Sequence, residues 1–356
     1  MSAVQQAKNR LDELIKKARV DMYKPIQIAE VLRQSRLKGD IDVSVLEVFR
    51  NPSLRWRDEV TRRLLGKIST SSARYQHDVW NETAMPTRLL KILDKENKRT
   101  SGNVERYIYL RFNERQETVA GMIAFIEQST PKHFSLNALL DKFTKQAGIK
   151  RSVDKAYEII AYSLFETVVS ALQATIKVSV PASSKKLLSE FSDLARVLLG
   201  VEESKPSWEA DAHIYRVGVT NAADRGLDMW ANFGPAIQVK HLTLDGSLAQ
   251  SIVDQVESDH IVIVCRDVDA KVIELVAKQI NWGRRVRGIV SESELIAWYD
   301  RCLRGENSAR LARPLLKRLS DGFKAEFPQA GAMVEFLKER GYLSAQPDKL
   351  WNFSAQ

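Results

Sequence analysis

Through the first 150 positions apolar residues recur every three or four places, the period of amphipathic helices. Residues 5–19 fit one such helix, and Pro25 opens a second over IQIAEVLRQSR. Asn51-Pro52 interrupts the pattern ahead of RWRDEVTRRLLGKI. The segments PTRLLKILDKEN, ERYIYLRFNERQETVAGMIAFIEQ, SLNALLDKFTKQAG and DKAYEIIAYSLFETVVSALQA continue the helical run.

Near residue 176 the character changes. IKVSV is a short β-rich run, KKLLSEFSDLARVLL is helical, and 201–212 reads as a polar surface loop. Three strands follow, in IYRVGV, GLDMWA and AIQVKHLTL. Then come a helix (SLAQSIVDQV), the most strongly β-like run of the chain (HIVIVCR), a helix (DAKVIELVAKQIN), a strand (RVRGIV) and a helix (SESELIAWYDRCL) with a serine suited to cap it. Residues from about 305 to 356 are helical again. This order predicts an α/β (α+β) fold with a mixed central β-sheet flanked by helices. It divides the chain into a mainly helical region 1–150, a sheet-bearing core 151–303 and a helical extension 304–356.

With 44% apolar and 28% charged residues, the 356-residue chain has the composition of an ordinary globular protein. Cys265 and Cys302 are too few for a disulfide scaffold and lack zinc-knuckle spacing. No apolar run reaches membrane-spanning length and no leader-like core begins the chain, so a cytoplasmic protein without a membrane partner is expected. Neither a Gly-x-Gly-x-x-Gly turn nor a Walker lysine loop is present, so no nucleotide cofactor is expected. The net charge of +9 favours a polyanionic partner. Residues 51–100 hold eleven Lys or Arg against six Asp or Glu, and so carry much of that excess.

One short constellation carries chemistry. Gln238 and Lys240 stand two apart in a strand and therefore share a face, with Val239 turned away. Asp228 precedes them across the turn Asn232-Phe233-Gly234-Pro235. A four-residue turn would set Asp228 against Val239, on the wrong face. A three-residue turn, 233–235, sets it against Lys240, and a five-residue turn, 231–235, sets it against Gln238, so an odd turn is expected. Asp228 and the Gln238 carbonyl oxygen are hard donors for a divalent cation such as Mg²⁺. Lys240 can orient or deprotonate a water and offset charge on a phosphate under attack. One carboxylate and one amide make a weak magnesium site, so a further acid is expected. The helix around 153–175 offers Glu158 and Glu166, which periodicity does not separate; Asp224 is a third candidate. His241, next to Lys240 but facing away, reads as structural, and Cys265 as a buried thiol.

These residues also carry a family resemblance. VGVTNAADRGLDMWANFGPAIQVKHLTL resembles the HaeII-like restriction endonucleases, as do KARVDMYKPIQIAEVL, WRDEVTRRLLGKISTSSARYQ, NKRTSGNVERYIYLRF and KRSVDKAYEIIAYSLF. Together they extend over roughly residues 5–330. The resemblance implies a restriction-endonuclease-like core of the PD-(D/E)xK superfamily within 151–303. It implies a magnesium-dependent homodimer that cuts double-stranded DNA at the near-palindrome 5′-RGCGCY-3′, leaving a 5′-phosphate, a 3′-hydroxyl and 3′ overhangs. Asp228 then matches the first acid and Lys240 the lysine, while Gln238 stands where Asp or Glu is usual. One branch of that superfamily carries glutamine there, together with an aromatic-Glu pair on the preceding helix. Tyr157-Glu158 and Phe165-Glu166 both have that form.

Region 1–150 is then the natural place for DNA recognition and dimerisation. Its best grip is RRLLGKISTSSARYQ. Arg62, Arg63, Lys67 and Arg74 can neutralise phosphates, and Ser69, Thr70, Ser71 and Ser72 are short backbone donors. Arg74, Lys98 and Arg99 are candidate readers of guanine edges, and Arg284, Arg285 and Arg287 form a second basic patch. A structure-selective repair or junction nuclease would use the same centre. A noncatalytic DNA-binding protein on a nuclease fold would bind without breaking strands.

Overall fold

The computed structural model describes residues 2–39, 41–145, 149, 152–217, 227–240, 260–271, 274, 286–327, 331–346 and 348–352. The helix expected at SLAQSIVDQV, most of the next one, and Asp224, Arg225, His241, Arg284 and Arg285 lie outside those residues.

The helices α1 (Ala3–Lys17), α2 (Tyr23–Lys38), α3 (Leu46–Leu65), α4 (Ala73–His77), α5 (Thr87–Arg99), α6 (Asn103–Gln128), α7 (Leu136–Lys145) and α8 (Val153–Leu172) form the first half. Pro52 does not break α3 as expected but lies inside it. Proline removes one N–H from the ladder. The neighbouring Ser53 hydroxyl donates to the Arg50 carbonyl (2.8 Å) and itself accepts from the Gln27 side chain (2.8 Å), while Phe49 and Arg57 are buried on the same helix. Tertiary packing therefore carries the helix through the proline.

The two-stranded ribbon β1 (Thr175–Ser179) and β2 (Ser207–Asp211) brackets α9 (Lys185–Glu190) and α10 (Ser192–Leu199). β2 lies in the segment expected to be a loop. Both its faces are open to solvent, so the apolar alternation that marks a strand is missing.

The main sheet runs in the order β3-β4-β5-β6-β7, from β3 (Ile214–Arg216), β4 (Met229–Ala231), β5 (Ala236–Lys240), β6 (Ile261–Cys265) and β7 (Val286–Ser291). The first three are antiparallel neighbours and the last three parallel, which is the mixed sheet expected. β6 is central and apolar throughout because parallel neighbours flank it and both its faces are covered. The helix α11 (Glu292–Arg304) begins with a capping box in which Ser291 accepts from the Glu294 N–H and the Glu294 side chain returns to the Ser291 N–H. α12 (Ser308–Glu326) and α13 (Met333–Glu339) follow.

Apolar side chains gather into two cores whose limits differ from the divisions expected at 150 and 303. One holds α8, the inner sheet face, α11, α12 and the second half of α6. The other holds α1, α2, α3, α5 and the first half of α6, together with α13 and Trp351 from the C-terminal stretch. α6, about 39 Å long at helical rise, is a rod shared by both. Between its two apolar stretches lies Arg115, 5% exposed, whose guanidinium caps the carbonyl end of α1 at Ala18 (2.9 Å) and Arg19 (3.0 Å). The C-terminal stretch is tied back by the Glu30–Arg340 pair and by Arg99 to Asp348 (3.2 Å).

Candidate active site

The hairpin that joins β4 to β5 decides the geometry. Met229 pairs with Ile237 and Trp230 with Ala236, so five residues, 231–235, separate the last paired positions. The same register, carried one residue further, sets Asp228 against Gln238. Asp228 therefore shares their face, while Ile237 and Val239 enter the core beneath α8.

Asp228 Oδ2 accepts from Gln238 Nε2 (2.5 Å) and from the Val239 N–H (2.7 Å). These bonds orient the Gln238 amide. Gln238 is 1% exposed, and its carbonyl oxygen Oε1 has no hydrogen-bond partner among the described residues. A buried, aimed and unpartnered acceptor costs free energy unless something electropositive meets it.

Glu158, 5% exposed on α8, completes the cluster. Its carboxyl lies within hydrogen-bonding reach of Asp228, and Lys155 one turn earlier donates to it (2.7 Å). Burial raises the pKa of Glu158, and the Asp228 charge raises it further against the pull of Lys155 and Arg216. Burial also raises Asp228, opposed by the Val239 N–H, Lys240 and Lys155. Two carboxyls crowded together and held above their usual range, beside an orphan amide oxygen, form a hard-oxygen set that suits a divalent cation. Among the described residues no three His, Cys, Asp or Glu side chains gather as ligands; this set is two carboxylates and one amide.

Glu166 has a different task. It accepts from the Ile214 N–H (2.7 Å), Ser170 Oγ (2.9 Å) and His213 Nδ1 (3.1 Å), and so pins the start of β3 to α8. It stands about 12 Å further along the helix than Glu158. The structure brings Asp228, Gln238, Lys240 and Glu158 together and leaves Glu166 outside.

Sequence reading missed a charged layer behind this cluster. Arg216 pairs with the buried Glu326 (2.7 Å), and Glu326 in turn lies in the field of Lys155, Glu158 and Lys67. These residues are scattered from 67 to 326, and only the shared core unites them. Their arrangement places Lys67, at the start of the 67–72 loop, beside the candidate centre, where it also meets Asp21 (3.4 Å) and the Glu326 carbonyl (3.4 Å).

Arg62, Thr70, Ser71, Ser72 and Arg74 are exposed along the same stretch, and Ser69 is half-buried. Arg63 is held by Glu339 through two bonds of 2.6 and 2.7 Å. Lys98 and Arg99 sit at the end of α5, paired with Asp94 (2.8 Å) and with Glu96 (2.7 Å). Among the described residues no helix is long and apolar enough to cross a membrane.

The model of the HaeII restriction endonuclease family matches residues 7–342. The chain belongs to the HaeII restriction endonuclease family. It is 44% identical to the type II restriction enzyme HaeII of Haemophilus aegyptius, over 97% of this chain and 99% of that one. It is 43% identical to the type II restriction enzyme NgoBI of Neisseria gonorrhoeae, over 95% of this chain and 97% of the relative. No solved structure matches. As a HaeII-family member the chain is a type II restriction endonuclease, and the noncatalytic alternative falls away. The mixed sheet with α8 packed on its inner face is consistent with a restriction-endonuclease-like core.

Proposed function

We propose that Asp228, Gln238, Lys240 and Glu158 form a PD-(D/E)xK-type centre, with glutamine in the second acidic place. The centre makes Mg²⁺-dependent double-strand breaks in DNA at a short near-palindromic GC-rich site, 5′-RGCGCY-3′. The observation that carries this reading is the buried Gln238 Oε1, unpartnered and aimed beside two carboxyls whose charges crowd each other.

The two carboxylates and the Gln238 oxygen would hold the cation. When bound, Mg²⁺ polarises the scissile phosphate and makes a nearby water more acidic. Lys240 orients the attacking water and offsets charge building on the phosphoryl oxygens. The water oxygen bonds to phosphorus, the bond to the 3′ oxygen breaks, and that oxygen takes a proton from solvent. The products are a 5′-phosphate and a 3′-hydroxyl. Lys155 and Arg216 keep the carboxylates ionised for the cation. Val239, through its N–H, fixes the Asp228 rotamer.

Arg62, Lys67 and Arg74 grip phosphates, with Ser69, Thr70, Ser71 and Ser72 donating to the backbone. Arg63, Lys98 and Arg99 already have acidic partners, and would exchange them for DNA on binding. Two strands need two cuts, and a homodimer supplies two centres. Incubation of a plasmid bearing one 5′-RGCGCY-3′ site with Mg²⁺, followed by end mapping, tests the reading. One linear product with 5′-phosphate ends at that site is expected. Uncut DNA, or cuts scattered without regard to sequence, would overturn it.

A further inference from the structure

Residues 173–212 leave the body at the end of α8 and return at Ala212, whose N–H donates to the Ala174 carbonyl (2.8 Å). Within this arm only Leu188, Val201 and Ala212 are buried. α10 buries none of its residues. Leu187, Phe191, Leu194, Val197, Leu198 and Leu199 are exposed, Val197 to 78% and Leu198 to 70%. Leu172 at the root is 71% exposed. A helix this short is unstable in water without a partner for its apolar side, so this face requires cover.

The size of the face points to its partner. At these exposures the seven side chains offer roughly 700 Å² of apolar surface, against about 800 Å² per partner in a standard-size interface and about 300–600 Å² for the largest patch of a typical monomer. Past Leu172 the apolar surface continues to Val168 and Val169, which line a half-open cavity of about 820 Å³ with Ile214, Phe233 and Trp298.

Charge argues against DNA as the cover. Residues 173–212 hold five Lys or Arg against six Asp or Glu, in a chain whose net charge is +9. A nearly neutral leucine-rich face does not neutralise phosphates. A duplex has two strands, and the described residues of each chain hold one candidate centre.

We propose that the arm over residues 173–212 is the surface on which two copies of this chain associate, with the apolar face of α10 buried against the partner copy. The choice of a second copy as occupant rests on the double-strand cleavage proposed above; the need for cover rests on the arm alone. A two-fold axis makes such a contact self-complementary and sets two centres on one duplex.

Sedimentation velocity of the full chain without DNA tests this. The parent protein should run as a dimer at micromolar concentration. Leu194→Asp/Val197→Asp/Leu198→Asp should run as a monomer with an unchanged far-UV spectrum. If that triple variant fails to fold, Val197→Asp alone should weaken the dimer at least tenfold. Mixing Val197→Asp/Leu198→Asp with Val197→Lys/Leu198→Lys should restore dimers that neither forms alone. A monomeric parent protein, or variants that remain fully dimeric, would overturn the proposal. So would variants that stay dimeric but bind DNA less tightly, since that assigns the face to DNA. Cleavage is not the readout: a dimer lost in the variants with no strand breaks in either protein would sink the nuclease reading and leave the arm's role standing.

Discussion

Gln238 donates its amide N–H to Asp228 Oδ2 at 2.5 Å, which turns the Gln238 carbonyl oxygen into a buried site with no protein partner. The glutamine in an otherwise acidic motif is thereby a ligand-ready group. It adds no third negative charge to a place where two carboxyls already repel each other.

That repulsion has a sign that can be tested. Asp228 and Glu158 have pKa values raised in the folded protein. A raised value gives stability that is fully present below the unfolded pKa, near 4, and is lost as pH rises through the folded value. The metal-free enzyme should therefore lose stability as pH rises from mildly acid to neutral. Asp228→Asn or Glu158→Gln should flatten that dependence and raise Tm at neutral pH, by about 2–4 °C per kcal/mol of relieved repulsion. Both should abolish cleavage. Thermal melts across pH in a chelating buffer check this; a Tm lowered by either substitution would contradict it.

The two glutamates of α8 should part in opposite directions. Glu166→Ala removes acceptors from the Ile214 N–H, His213 and Ser170, and should cost about 1–3 kcal/mol of stability for the buried group left unsatisfied. At a temperature where it stays folded, its single-turnover cleavage should be near that of the parent protein. Glu158→Gln should show the reverse pattern, a stable protein with no cleavage.

Cation sensing should depend on the same atoms. Mg²⁺ should raise the Tm of the parent protein, as ligands of the native state do. Glu158→Gln and Gln238→Leu should reduce or remove that rise. An equal rise in all three proteins would place the cation elsewhere.

The basic stretch before α4 should act on binding without choosing bases. Arg62→Ala and Arg74→Ala should each lower the slope of log affinity against log salt by about one, with little change in sequence preference. Fluorescence anisotropy at several salt concentrations reads this. A change confined to one base position would assign that arginine to base reading.

Much of the site was legible because strand alternation is rigid. The spacing of Gln238 and Lys240 put them on one face, and the chemistry required an odd turn, which the five-residue connection 231–235 supplies. Glu158 and Glu166 were not separable because eight helical residues differ by only about 80° around the axis. What separates them is where β3 and β4 meet α8, a property of the packed sheet. Pro52 misled for a similar reason, since the burial of Phe49 and Arg57 outweighs the one lost hydrogen bond. Lys155, Arg216 and Glu326 carried no signal, because charges that meet only in the fold have no common spacing. The core shared along α6 was hidden as well, since its apolar period runs through the point where one core gives way to the other.

The central claim, that Asp228, Gln238, Lys240 and Glu158 form the cleaving centre, is tested most directly by Lys240→Ala. Single-turnover cleavage of a defined duplex bearing the target site, with saturating enzyme and Mg²⁺, should fall by about 10²–10³-fold, the loss seen when one donor to a developing oxyanion is removed. DNA affinity should stay within a few-fold of the parent protein. Cleavage at the parent rate by Lys240→Ala would contradict the account.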